Sequence, residues 1–211
     1  MSIASFELVF GHALRGEECH LVPPDGRPLR LPVEDWTATP DRSDLALLAH
    51  CSGATLDIGC GPGRLTAELA ARGQVVLGID VVGEAVGQAR SRGGSALVRD
   101  VFDRVPGEGR WQTVLLADGN IGIGGDPSGL LERVRQLLDP RGHVVVEVAG
   151  PGVPTRTVPV RLQCSCAQTG WFRWSVVGVD GVAALAASAG LALLGCYQHG
   201  VRWWAVLGET W

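Results

Sequence analysis

Six cysteines stand at positions 19, 51, 60, 164, 166 and 196, yet no C-x-x-C pair and no zinc-finger spacing occurs among them. The common zinc frameworks are excluded, and no metal is expected. The chain opens without a basic segment followed by an apolar one, so the expected compartment is a reducing cytoplasm. Long apolar runs are also missing: the nearly uncharged stretch from Val176 to Tyr197 is divided by Asp180 and by glycines at 181, 190 and 195. It reads as a helix and a strand, and no membrane span is needed. There is no excess of positive charge. The formal net charge of −4 argues against a broad nucleic-acid surface. Methionine and tyrosine occur once each, whereas glycine occurs thirty times and tryptophan seven. The abundance of Gly, Ala, Val and Arg fits a high-GC bacterial coding sequence.

What the chain does have is Thr55-Leu-Asp-Ile-Gly-Cys-Gly-Pro-Gly-Arg-Leu-Thr-Ala-Glu-Leu-Ala70. A short apolar run ends in three alternating glycines and passes into a helical pattern with Leu65 and Leu69 one turn apart. Alternate glycines remove Cβ atoms where the backbone turns, so a nucleotide-like ligand can lie against the main chain at a helix start. A G-x-G-x-x-G dinucleotide fingerprint would need glycine at 64 or 66, where Arg64 and Thr66 stand, and a P-loop would need Gly-Lys-Ser/Thr, which is absent.

The strand-helix rhythm continues through Gln74–Asp80, Val82–Arg90, Ser95–Asp100, Trp111–Asp118, a helix opened by Asp126-Pro127, and Gly142–Ala149. Continuous apolar strands alternating with helices predict a parallel sheet covered on both faces. Residues 1–53 precede this pattern and are read as an N-terminal cap or substrate arm, with a short helix capped by Ser43. Residues 54–211 form the main domain. Within it, 150–177, interrupted by Pro151, Pro154 and Pro159, is read as an inserted hairpin or lid. Asp57, Asp80, Asp100, Asp118 and Glu147 each fall near the carboxyl end of a predicted strand, where ligands of open α/β sheets sit. Five acids around one crevice favour a ligand bearing cations and hydrogen-bond donors over a phosphate-rich one.

Leu56-Asp-Ile-Gly-Cys-Gly-Pro-Gly63 resembles the first motif of the class I S-adenosylmethionine-dependent methyltransferases, and the likeness extends over roughly residues 54–149. The resemblance implies a doubly wound α/β fold with a mostly parallel seven-stranded sheet, order 3-2-1-4-5-7-6, whose last strand is antiparallel. It implies S-adenosyl-L-methionine as cofactor and S-adenosyl-L-homocysteine as product. It assigns Asp80 to the ribose hydroxyls and Asp100 with Val101 to the adenine, and counts Val81 among the cofactor contacts. Gly59, Cys60, Gly61 and Gly63 would line the methionine and ribose portions, Asp57 the loop or the ammonium, and Ala117 and Asp118 the transferring methyl.

Methyl transfer is an in-line displacement that depends on alignment and exclusion of water, and a base is needed only when the acceptor keeps its proton. His12, His20, Asp118 and Glu147 are candidates for a base or a substrate contact, and the catalytic residue is left open. The Asn/Asp-Pro-Pro-aromatic motif of amino-methylating enzymes is replaced by Asp118-Gly-Asn-Ile121, and no Pro-Cys pair of cytosine C5 enzymes occurs. A small-molecule acceptor, methylated at oxygen, nitrogen or carbon in specialised metabolism, is therefore expected, with no nucleic acid or membrane partner. Trp36, Asn120, Trp171, Arg173 and Trp174 are the candidate substrate contacts. The alternatives are a nicotinamide-dependent oxidoreductase and a noncatalytic S-adenosylmethionine-binding partner or sensor. The acceptor and the oligomeric state are not legible.

Overall fold

The computed structural model describes residues 2–209. From the N-terminus come Ser2–Ala4 (β1), Phe6–Leu14 (α1), His20–Val22 (β2), Leu29–Arg30 (β3), Val33–Thr37 (α2) and Arg42–Leu48 (α3). The glycine-rich turn lies between Thr55–Ile58 (β4) and Arg64–Ala71 (α4). Val76–Asp80 (β5), Gly83–Ser91 (α5), Ala96–Val98 (β6), Trp111–Leu116 (β7), Pro127–Leu137 (α6) and Leu138–Val148 (β8) follow. The C-terminal part holds Arg156–Gln163 (β9), Ala167–Thr169 (β10), Phe172–Val176 (β11), Val182–Ser188 (α7), Ala192–His199 (β12) and Arg202–Gly208 (β13).

Seven strands form the main sheet in the spatial order β12-β13-β8-β7-β4-β5-β6. Numbered within this sheet alone and read from the β6 edge, that is 3-2-1-4-5-7-6. Strands β6, β5, β4, β7 and β8 pair in parallel, and β13 runs antiparallel between β8 and β12. Strand alternation divides the core between two faces. Val114, Leu116, Val144 and Val146 pack with the inner stripe of α6 (Leu130, Leu131, Val134, Leu137) and with Val182 and Ala186 of α7. Leu115 and Val145 point the other way, onto Leu47 and Leu48 of α3 and Leu65 and Leu69 of α4. Both faces are thus sealed by helices, which is why these strands read as unbroken apolar runs.

The arm and the insertion, separate in the sequence, share a second sheet. Its order is β1-β10-β9-β2-β3, with β11 antiparallel to the first half of β9, from Arg156 to Val160. Leu21 pairs with Leu162, and Ser2 with Ala167 in parallel. Val9, Ala13 and Cys19 of the arm pack with Leu162, Cys164 and Ala167 of the insertion.

Some local expectations change. Asp41, not Ser43, caps α3: its carboxylate accepts the Asp44 N–H at 2.8 Å while Asp44 accepts the Asp41 N–H at 2.9 Å, a reciprocal capping box. Ser43 Oγ instead meets His199 Nδ1 at 2.9 Å. The third strand of the main sheet stops at Val98, leaving Asp100 in the following loop, and β8 starts at Leu138, directly after α6. Cys164 and Cys166 lie in the turn between β9 and β10, one buried and the other exposed.

Gly63 precedes α4 with φ at 83°. A Cβ there would lie 2.5 Å from Ala89 Cβ on α5. Gly63→Ala is expected to destabilise the fold by about 2–4 kcal/mol, combining left-handed strain with overpacking. Urea unfolding of the variant against the parent measures this, and an unchanged midpoint would refute it.

Candidate active site

A cavity of about 1290 Å³ lies between the carboxyl ends of the main-sheet strands and the second sheet. Asp57 and Ile58 from β4, Asp80 from β5, and Ala117 and Asp118 just beyond β7 line it, with Glu147 from β8 and Arg202 from β13. The 99–102 loop, Asn120 and the turn Gly59-Cys60-Gly61-Pro62 complete the lower wall. The roof comes from the arm and insertion, including Phe6, Phe10, Trp36, Trp171, Phe172, Arg173 and Trp174.

The turn is held by a few hydrogen bonds. Asp80 accepts from the Gly61 N–H and the Val82 N–H, each at 2.9 Å, so one carboxylate joins the glycine turn to the start of α5. Burial pushes the Asp80 carboxyl above its ordinary value against those donors. Asn120 donates both to Ile58 O and to Gly59 O at 2.9 Å. A Cβ on Gly59 would meet that amide at 2.6 Å, whereas one on Gly61 would meet nothing within 4 Å. Gly61 therefore presents open main chain to the cavity, and Gly59 makes room for Asn120. Asp57 is buried and accepts from Thr66 Oγ1 at 2.6 Å. Burial pushes its carboxyl up to about 7.

Two arginines unforeseen as site residues neutralise much of the acidic rim. Arg64 begins α4, where the helix dipole disfavours a cation. It is only 7% exposed, and its guanidinium pairs with Asp44 and donates to both Asp118 oxygens at 2.9 and 2.7 Å. Arg202 donates to both Glu147 oxygens at 2.7 Å, to Asp44 at 2.5 Å and to Asp118 at 3.3 Å. Glu147 also accepts the Asp118 N–H at 2.7 Å, supporting a residue whose φ is 51°. Asp44 is buried too; burial alone would raise its carboxyl, but Arg64, the Asp41 N–H and Arg202 hold it below the ordinary value. Burial lifts the Asp118 carboxyl despite the Arg64 charge beside it. An arginine at a helix start was the signal for this network, because such a cation needs carboxylates close by.

Of the expected site residues, Asp57, Gly59, Cys60, Gly61, Asp80, Val81, Asp100, Val101, Ala117, Asp118 and Glu147 all line the one cavity, as do Trp36, Asn120, Trp171, Arg173 and Trp174. Gly63 does not; it packs on Ala89. Asn120 lines the cavity, but its amide protons are spent on the glycine turn. His12 and His20 lie outside the lining. On α1, Phe6 and Phe10 share the inward stripe and His12 meets Glu17 Oε1 instead, at 2.5 Å. On β2, Leu21 faces the cavity, so its neighbour His20 faces away and meets Glu18 at 3.3 Å.

Residues 55–142 match the family model described as a methyltransferase domain. That stretch runs from β4 into β8 and takes in the glycine turn. Among solved structures, a methyltransferase from Bacteroides fragilis, in complex with S-adenosyl-L-homocysteine, superposes with a TM-score of 0.83 at 19% identity, covering 100% of this chain and 98% of that one. The CcbJ methyltransferase of Streptomyces caelestis gives 0.62 at 16% identity, covering 82% of this chain and 92% of its own. A Burkholderia thailandensis 1,6-didemethyltoxoflavin-N1-methyltransferase gives 0.60 at 20% identity, with 80% and 76% covered. No curated protein sequence matches the chain. The chain thus shares its fold with solved S-adenosylmethionine-dependent methyltransferases, and residues 55–142 resemble a methyltransferase domain.

The buried Asp57 generates a pH prediction. Its carboxyl rises from 3.8 to about 7 on folding, so between those values the native state holds a proton that the unfolded chain has released. The stability from this group is fully present below 3.8 and is lost as pH rises through about 7. In the ligand-free protein, Asp57→Asn is expected to remove this part of the decline while keeping an acceptor for Thr66. Unfolding free energies measured by urea titration across that pH range check it; an identical slope in both proteins would exclude the effect.

Proposed function

We propose that this protein transfers the methyl group of S-adenosylmethionine to a small-molecule acceptor enclosed beneath the second sheet, as an enzyme of specialised metabolism. The supporting observation is the cavity itself. Its size exceeds the roughly 300–1,000 Å³ typical of a single-ligand pocket, leaving room for a cofactor and an acceptor together, and its aromatic roof favours an enclosed small molecule over a macromolecular duplex.

The lower wall fits the cofactor's donor groups. Gly61 offers main chain with open space where a side chain would stand, and Asp80, Asp100 and Asp57 offer carboxylates. In this reading Asp80 and Val81 hold the ribose, Asp100 and Val101 the adenine, and Gly59, Cys60, Gly61, Ala117 and Asp118 the methionine end. When bound, the cofactor supplies an electrophilic methyl on a sulfonium. The chain's own contribution is alignment and a dry site. Trp36 stacks on Phe10 at 5.6 Å between ring centroids, and Phe6 meets Phe172 edge-on at 5.4 Å, forming a fixed apolar wall. Trp171 is 53% exposed and carries the Arg161 guanidinium over its ring at 5.1 Å. That pair suits a flat acceptor with a negative or electron-rich edge.

No histidine lines the cavity among the described residues, and Asp118 and Glu147 are held by guanidinium groups. Neither carboxylate is free to swing toward a substrate proton. The acceptor then arrives with its lone pair available, which favours a neutral amine, a ring nitrogen or an already ionised oxygen.

Asp80→Ala is expected to weaken binding of the cofactor by about 1.5–3 kcal/mol, the scale of a charge-assisted hydrogen bond. Titration calorimetry with S-adenosyl-L-homocysteine measures it, and unchanged affinity would remove Asp80 from the site. The transfer itself is tested by treating a host extract with enzyme and deuteromethyl cofactor and seeking labelled small products by mass spectrometry. Cofactor retention with no labelled product across broad extracts would favour a noncatalytic binder. Once an acceptor is known, the pH profile of kcat/KM should follow the acceptor's own ionisation; a limb that shifts in Asp118→Asn would instead make Asp118 a base.

A further inference from the structure

Outside the cavity, on the far side of the second sheet, metal-ligating groups from two distant segments meet. The carboxyl end of α1 supplies His12. Gly16, with φ at 95°, turns the chain back so that the Glu17 N–H reaches the His12 carbonyl oxygen at 3.1 Å. His12 Nδ1 lies 2.5 Å from Glu17 Oε1. The turn between β9 and β10 supplies Cys164 and Cys166, whose sulfurs are 3.3 Å apart, and Cys166 Sγ lies 3.8 Å from Glu17 Oε2. Ligand atoms of His12, Glu17 and Cys166 all fall within 4.8 Å of one another. Cys19, buried, stands beside Cys164 with its thiol on the Val9 carbonyl oxygen at 3.8 Å.

We infer that His12, Glu17 and Cys166 form a three-ligand binding site for a zinc-class divalent cation, which pins the N-terminal arm to the insertion. Zinc takes nitrogen at about 2.0 Å and sulfur at about 2.3 Å, so tetrahedral ligand atoms stand about 3.3–3.8 Å apart. The Cys166–Glu17 pair already has that spacing. One imidazole, one carboxylate and one thiolate are donors that zinc accepts, and the two anionic ligands neutralise its charge while solvent completes the coordination. The outer side is open: the His12 and Glu17 side chains are 21% and 41% exposed, which gives an entry path. Cys164, by contrast, is buried with its thiol on the Ala167 carbonyl oxygen at 3.4 Å, and backs the turn that carries Cys166. The ligands come from two segments 149 residues apart, which is why no local zinc spacing occurs in the sequence. Such an ion would be structural. It closes a long loop across the edge of the sheet that roofs the cavity.

The test uses the full chain, expressed without a polyhistidine tag and purified under reducing conditions. Elemental mass spectrometry is expected to find one zinc per chain, or one taken up on titration. Replacement by cobalt(II) should give thiolate-to-metal charge-transfer bands and the visible absorption of a tetrahedral centre. Both should be lost in Cys166→Ser and in His12→Ala, and kept in Cys196→Ser, which alters an exposed cysteine elsewhere. Circular dichroism of each variant establishes that it folds, and His12→Cys, which retains a soft ligand, should restore the cobalt bands. Absence of metal and of charge transfer in the reduced parent would overturn the site. So would bands that persist in both ligand variants, or a Cys164–Cys166 disulfide that leaves no metal uptake after reduction.

Discussion

The site depends on a buried charge network in which two guanidiniums hold three carboxylates. Arg64 and Arg202 converge on Asp44, Asp118 and Glu147 where α3, α4, β8 and β13 meet the loop after β7. Desolvating such groups is costly, and their mutual attraction repays it only when most hydrogen bonds are made. Here nearly every carboxylate oxygen has a guanidinium or backbone partner. The chain has no lysine at all, and the planar fork of arginine suits this geometry better than a flexible ammonium. The result is a floor that fixes where each strand end stands.

That network also changes the electrostatic character of the cleft. Five carboxylates at strand ends read, in the sequence, as one strongly negative rim. In the structure Asp118 and Glu147 belong to a nearly balanced cluster, and Asp57 is buried against Thr66. Asp80 and Asp100 remain at the end of the cavity proposed for the ribose and adenine, each with its carboxylate accepting from nearby main-chain N–H groups. The negative field is therefore concentrated at one end of the cavity, and the other end is aromatic with arginine.

The main sheet was legible because its signals are local. Buried parallel strands give continuous apolar runs, Asp126-Pro127 marks a helix start, and alternating glycines mark the turn. Placement of the acids followed from strand ends. What escaped notice depends on pairings across the chain. Arg202 reaches Glu147 only because β13 lies antiparallel on β8, bringing Trp204 opposite Glu147. Asn120 looked available to a substrate because nothing in its neighbourhood reveals that its amide supports a turn some sixty residues earlier. The histidines of the arm were misplaced for a related reason. Which side of α1 and β2 faces inward is decided by the insertion they pack on, and that segment lies more than a hundred residues downstream.

The shared sheet of arm and insertion has a consequence for biosynthesis. As the chain leaves the ribosome, the apolar residues of α1 and β2 emerge first, but their partners on β9 and β10 are made only after the fifth strand of the main sheet is complete. Until then the leading segment has no surface to pair with, and its strand edges remain open to other nascent chains. Yield in a heterologous host should therefore be governed by translation pace and chaperone supply over that interval, independently of how stable the finished molecule is.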